Sequence, residues 1–242
     1  MGLLFMLLPQ EAANQNFINV LVEKFNEGGD FMWPVLICLI LGLAIAFERI
    51  ITLNLADINT KKFLFEVKKA LEEGGIEAAI EVCARTRGPV AAVFQAGLLR
   101  AHEGIDAVEK AIIAYGSIEM SFLERGLVWL SLFISLAPMF GFLGTVVGMV
   151  MAFDAIEQAG DISPSLVARG IKVALLTTVG GLIVAIILQI FYNYCVSKID
   201  RLVTEMEEAA LELIDTLVLL QQGKPVVREA AGEASPSGES ES

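Results

Sequence analysis

Three stretches of this chain lack the alternation of apolar and polar positions that a water-facing surface imposes. The first covers residues 31–53, with its charges, Glu48 and Arg49, held near the end. The second, residues 126–153, and the third, residues 173–196, contain no charged side chain. A helix needs about 20 apolar residues to cross a bilayer. Uncharged runs this long and pure are not ordinary core helices. The pattern predicts an all-α membrane protein with transmembrane helices at residues 31–53, 125–153 and 171–196.

The polar segments between these runs set an orientation. Residues 54–124 carry Lys61, Lys62, Lys68, Lys69, Arg85, Arg87, Arg100 and Lys110. The chain after the third span adds Lys198, Arg201, Lys224 and Arg228. Residues 1–30 offer only Lys24, and the connection at 154–170 offers Arg169, with Lys172 just beyond it. Basic residues stay on the cytoplasmic side. The expectation is an inner-membrane protein with its N-terminus outside and its C-terminus in the cytoplasm. Cys83 would then report the inner side and Gln158 the outer.

Periodicity divides the polar segments further. Phe17, Ile18, Leu21 and Phe25 suit an amphipathic helix on the outer lipid surface within residues 1–30. The apolar start at residues 1–8 is short and has no basic residue before it, unlike a signal peptide. In the cytoplasmic region, 54–124, a helical run at 63–71 stops at Gly74-Gly75, and a second at 76–84 ends before Gly88-Pro89. A third covers 90–101. From about Asp106 the helical pattern enters the second span without a breaker, giving a helix about 70 Å long at about 1.5 Å per residue. The third span continues through Ile199, Leu202, Met206, Leu213 and Leu217 over residues 197–222. The second and third helices are thus expected to extend far into the cytoplasm. Residues 223–242 have the composition of a disordered tail.

Composition narrows the function. Hydrophobic residues make up 55% of the 242, more than a soluble domain of this size uses. A net charge of -12 argues against nucleic acid, which needs clustered Lys and Arg. Cys38, Cys83 and Cys195 are too scattered for a metal knuckle or a disulfide framework. His102 reads as an exposed helix residue. No nucleophile elbow, phosphate loop or metal-ligand spacing is present. An enzyme, a cofactor and a metal site are therefore not expected.

The informative residues are the small and polar ones inside the membrane. On a helical wheel Ser131, Ser135, Pro138, Phe142 and Thr145 share one face of the second span. Gly141, Gly144 and Gly148 share another, where a second helix can come close. Ser131 and Ser135 either line a polar path or bond the backbone carbonyl one turn back, and the second reading is the simpler. In the third span Gly170, Ala174, Thr178, Gly181, Ala185, Gln189 and Tyr192 form a stripe. Counted from the outer ends of their spans, Thr145 and Thr178 fall at similar depth on antiparallel helices. Their meeting is either a cation or proton site or a coincidence of packing. Glu205, Glu207, Glu208, Glu212 and Asp215 make the inner end of the third helix acidic. They are a solvated face or, in an oligomer, the wall of a cavity that attracts cations.

These residues also carry a resemblance. Residues 136–149, Leu-Ala-Pro-Met-Phe-Gly-Phe-Leu-Gly-Thr-Val-Val-Gly-Met, and residues 170–182, Gly-Ile-Lys-Val-Ala-Leu-Leu-Thr-Thr-Val-Gly-Gly-Leu, resemble the MotA/TolQ/ExbB proton-channel family, ExbB most closely. Glu48-Arg49 and residues 88–97 are similar as well. The resemblance implies a homopentamer around two single-span subunits of the ExbD or TolR kind, driven by ions and delivering work to a TonB-like protein. Family threonines map onto Thr145 and Thr178, with Thr177 an extra hydroxyl. Where other members carry a Glu at the outer mouth, this chain has Val173 beside Lys172, which leaves proton and sodium coupling both open. A TolQ-like role in envelope constriction and a non-conducting scaffold are the competing readings.

Overall fold

The computed structural model describes residues 19–20, 22–159 and 164–222, and those residues contain helices and no strand. The main elements are α1 (Met32–Ala56), α2 (Thr60–Arg85), α3 (Pro89–Leu98), α4 (Ile105–Glu124), α5 (Leu127–Ala159) and α6 (Pro164–Gln221). A 3₁₀ turn at Ala101–Glu103 precedes α4. Three stretches, in α1, α5 and α6, are long and apolar enough to cross a membrane.

The chain divides into two compact units. The first takes the chain up to Ile50 together with Gly126–Val196. Its interior is built from Val35, Cys38 and Ala46 of α1, Leu130 and Ala137 of α5, and Val184 and Leu188 of α6. Gly42 admits Leu188 so closely that a Cβ there would lie 2.5 Å from a Leu188 methyl. Only 22%, 22% and 33% of the three most apolar windows are buried inside the chain. The rest of that apolar surface needs lipid or a neighbouring subunit to cover it.

The second unit takes Ile51–Arg125 and the chain from Ser197. Its core joins Phe63, Val67, Phe94, Val108, Met206 and Leu213. Asn59 caps α2 by accepting the Lys62 N–H at 3.0 Å. At Gly75 the backbone leaves the helix with φ +73°, at the expected boundary between the runs 63–71 and 76–84. Pro89 begins α3 at the first helical position, where its missing N–H costs nothing.

The structure departs from the sequence reading at several places. The helix expected to run from Asp106 through the second span is two helices. Arg125 is extended, with ψ 129°, and Gly126 adopts φ +93°. The α4 ladder closes with Arg125 N–H donating to Phe122 O, and α5 opens with Gly126 O accepting from Trp129 and Leu130. A lone Gly within a helical pattern is tolerated at about 1 kcal/mol, so the residues alone do not demand this break. The expected connection at 154–170 is largely helical: α5 continues to Ala159 and α6 starts at Pro164.

Cys83 is 2% exposed, and burial pushes its thiol up to about 12. It is an inert core residue rather than a reporter of membrane side. Of the proposed N-terminal amphipathic helix, Phe17, Ile18 and Leu21 lie outside the described residues. Residues 22–27 are helical, and Phe25 packs edge-on against Trp33 at 5.3 Å.

Candidate functional site

The site lies in the first unit, where α5 and α6 approach along small residues. A Cβ on Gly141 would lie 2.8 Å from Thr177 O, and one on Gly181 would lie 2.5 Å from Ala137 O. Gly144 faces the Thr177 side chain, with a Cβ placed 2.6 Å from Oγ1, and Gly148 faces Gly170 O and Ala174 N, each at 3.2 Å. Backbones this close leave no room for larger side chains at the seam.

Three hydroxyls converge within that seam. Thr145 Oγ1 and Thr178 Oγ1 are 2.5 Å apart. Thr145 Oγ1 is 3.1 Å from Gly141 O and 3.4 Å from Ala174 O. Thr178 Oγ1 lies 3.3 Å from each of the same two carbonyls. Thr177 donates to Ala174 O at 2.9 Å, lies 3.2 Å from Gly141 O, and is fully buried. Each hydroxyl has one proton to give and lone pairs to spare. With only two carbonyls shared among them, the group keeps acceptor capacity that a cation or a protonated carboxyl can use.

The remaining residues singled out from the sequence are placed as follows. Ser131 and Ser135 are exposed, and Ser135 donates to Ser131 O one turn back at 3.1 Å. Ala174 is buried against Gly148, whereas Ala185 is half-buried. Gln189 turns outward to donate to Asn193 Oδ1 at 2.9 Å. At the other end of the seam Lys172 pairs with Glu27 at 2.5 Å, and Glu27 also takes Lys24 at 2.7 Å. Lys172 first and Lys24 second hold the Glu27 carboxyl below the usual carboxylate range. Val173 lies beside Gly29, 3.6 Å from where its Cβ would be.

In the second unit the structure reveals a polar cluster that the spacing did not disclose. Asp57 receives both Lys198 and Arg201, each at 2.5 Å. Hydrogen bonding from Lys198 is the main reason its carboxyl is held low. Arg201 also reaches Glu205, which accepts the Thr60 hydroxyl at 3.2 Å. Lys68 pairs with Glu212. Two of the five inner acidic residues are thereby neutralised within the chain. The sequence signal was there, two bases and an acid within about two turns of helix, but their partners are 141 to 145 residues away.

The description of the MotA/TolQ/ExbB proton channel family matches residues 85–208. The chain is 33% identical over 193 residues to an ExbB homolog of Methanothermobacter thermautotrophicus, covering 79% of this chain and 68% of that protein. It is 31% identical over 181 residues to an ExbB-like biopolymer transport protein of Synechocystis, covering 73% and 71%. It is 26% identical over 162 residues to a biopolymer transport protein of Vibrio cholerae, covering 65% and 71%.

Proposed function

This chain belongs to the MotA/TolQ/ExbB proton channel family, and from that premise we propose that it is the ion-driven inner-membrane subunit of a TonB-type energising complex. The observation that carries the reading is the contact of Thr145 with Thr178 inside two spans that hold no charged side chain. A proton crossing a membrane needs an ionisable group at depth. Threonine hydrogen-bonds but does not titrate near neutral pH. The titratable carboxyl therefore comes from a single-span partner of the ExbD or TolR kind, and the hydroxyls hold it or solvate the ion that passes it. Five copies of this chain surround two copies of that partner, and their relative rotation reaches a TonB-like protein. The exposed apolar faces of the three spans suit such an assembly, because they leave room for lipid and for neighbouring subunits. The distribution of Lys and Arg supports a periplasmic N-terminus and a cytoplasmic C-terminus.

The test is reconstitution. Vesicles holding this chain alone show no gradient-driven proton or sodium leak, and vesicles holding it with a single-span partner do. A robust leak from the chain alone would place the ion-carrying group in the wrong protein.

A further inference from the structure

Beside the threonine seam the first unit contains a cavity of about 380 Å³. Its wall is formed by the turn at residues 28–31, by Gly144, Val147 and Gly148 of α5, and by Arg169, Gly170 and Val173 of α6. Gly144 marks its inner end: it precedes Thr145 in sequence and touches the Thr177 side chain. The lining is otherwise apolar or glycine, with two ionisable exceptions, Asp30 and Arg169. Neither makes an ion pair with a described residue. Close to them Glu27 bridges Lys24 and Lys172.

We propose that this cavity is a water-filled vestibule through which a monovalent cation or proton reaches the threonine seam, and that Asp30 is the carboxylate that draws it in. The inference rests on the ion-driven reading above and identifies the group at its outer end. Low-dielectric walls focus the field of a charge and raise the local concentration of its counter-ion. Asp30 stands exposed at the rim of these apolar and glycine walls, and neither α5 nor α6 supplies an acidic side chain to the lining. Arg169, on the same wall, opposes that attraction and limits how tightly the cation is held. The mouth at Val173 thus has its carboxylate from the turn preceding α1 and not from α6.

Val147→Cys puts a thiol into the lining while the natural cysteines stay buried. In intact cells, with the native partners present, a cationic methanethiosulfonate added outside modifies this thiol at least about fivefold faster than an anionic one of equal size. Asp30→Asn removes that preference, and Arg169→Gln increases it. Equal rates in the parent, or no modification by either reagent, would overturn the vestibule. In the reconstituted complex Asp30→Asn lowers ion flux about tenfold and Asp30→Glu retains most of it, with native mass spectrometry showing an unchanged assembly. Undiminished flux in Asp30→Asn would overturn the role of Asp30. If the thiol behaves as described but the parent complex passes no ions, the vestibule stands and the ion-driven reading fails.

Discussion

Thr145 and Ser135 both return a hydroxyl to the carbonyl one turn earlier, and only Thr145 also meets a hydroxyl from the facing helix. That difference separates a local helix bond from a candidate ion site. Thr178→Val removes a hydroxyl while keeping the shape, so flux through the reconstituted complex falls below detection and the oligomer survives. Ser135→Ala leaves flux within about twofold, since its neighbouring carbonyl is already in the helix ladder. The pairing of these threonines follows from counting residues inward from the span ends. The depth of Thr177 does not, because sequence cannot say which of two adjacent hydroxyls turns into the seam. Asp57 makes a second residue-scale case. Its carboxyl is held low, so its contribution is full above the unfolded value of about 3.9 and is lost as pH falls through the lower folded value. Asp57→Asn costs about 1 kcal/mol at neutral pH, in keeping with a partly exposed pair. The gap between wild type and variant in thermal unfolding in detergent closes as the solution is acidified below that range.

At the scale of elements, the spans were legible because length and the absence of charge leave a helix in lipid as the only outcome. The boundary between α4 and α5 was not. Residues 106–153 contain no proline before Pro138, and Gly126 reads like any glycine until its φ of +93° is known. The polar cluster at Asp57 and the cavity at Asp30 were hidden for a related reason. Each depends on a short non-helical turn bringing an acid to a distant stretch of α6. The α5–α6 seam makes a sharper demand. A methyl at position 181 would lie 2.5 Å from the Ala137 carbonyl oxygen, and backbone cannot swing aside as a side chain can. Gly181→Ala therefore destabilises the protein by about 1–3 kcal/mol, read as a lower unfolding temperature in detergent. Gly104→Ala has no neighbour within 4 Å to strike, so its effect comes from its positive φ alone.

For the molecule as a whole, the apolar surface left uncovered by the fold is the dominant fact. Side chains such as Ile51, Phe142, Leu175 and Ile190 stand more than half exposed. Native mass spectrometry from mild detergent is expected to give five copies of this chain, and a stable monomer would refute the motor reading. The orientation is tested with cysteines at exposed positions. Gln158→Cys reacts with an impermeant reagent from outside, and Lys61→Cys reacts only after the membrane is opened. Reversed accessibility would overturn the assignment from basic residues.

The hydroxyl contact at the seam can be written in two ways. Thr145 donates to Thr178 while Thr178 donates to the Ala174 carbonyl, or Thr178 donates to Thr145 while Thr145 donates to the Gly141 carbonyl. The two arrangements share every heavy-atom position and differ in the direction of two O–H dipoles. A positive charge arriving on one side favours the arrangement that turns oxygen lone pairs toward it. Exposed side chains reorient in picoseconds to nanoseconds, and two O–H rotations require no more displacement than that. The seam is thus a polarisable element, stiff in its atoms and soft in its dipoles.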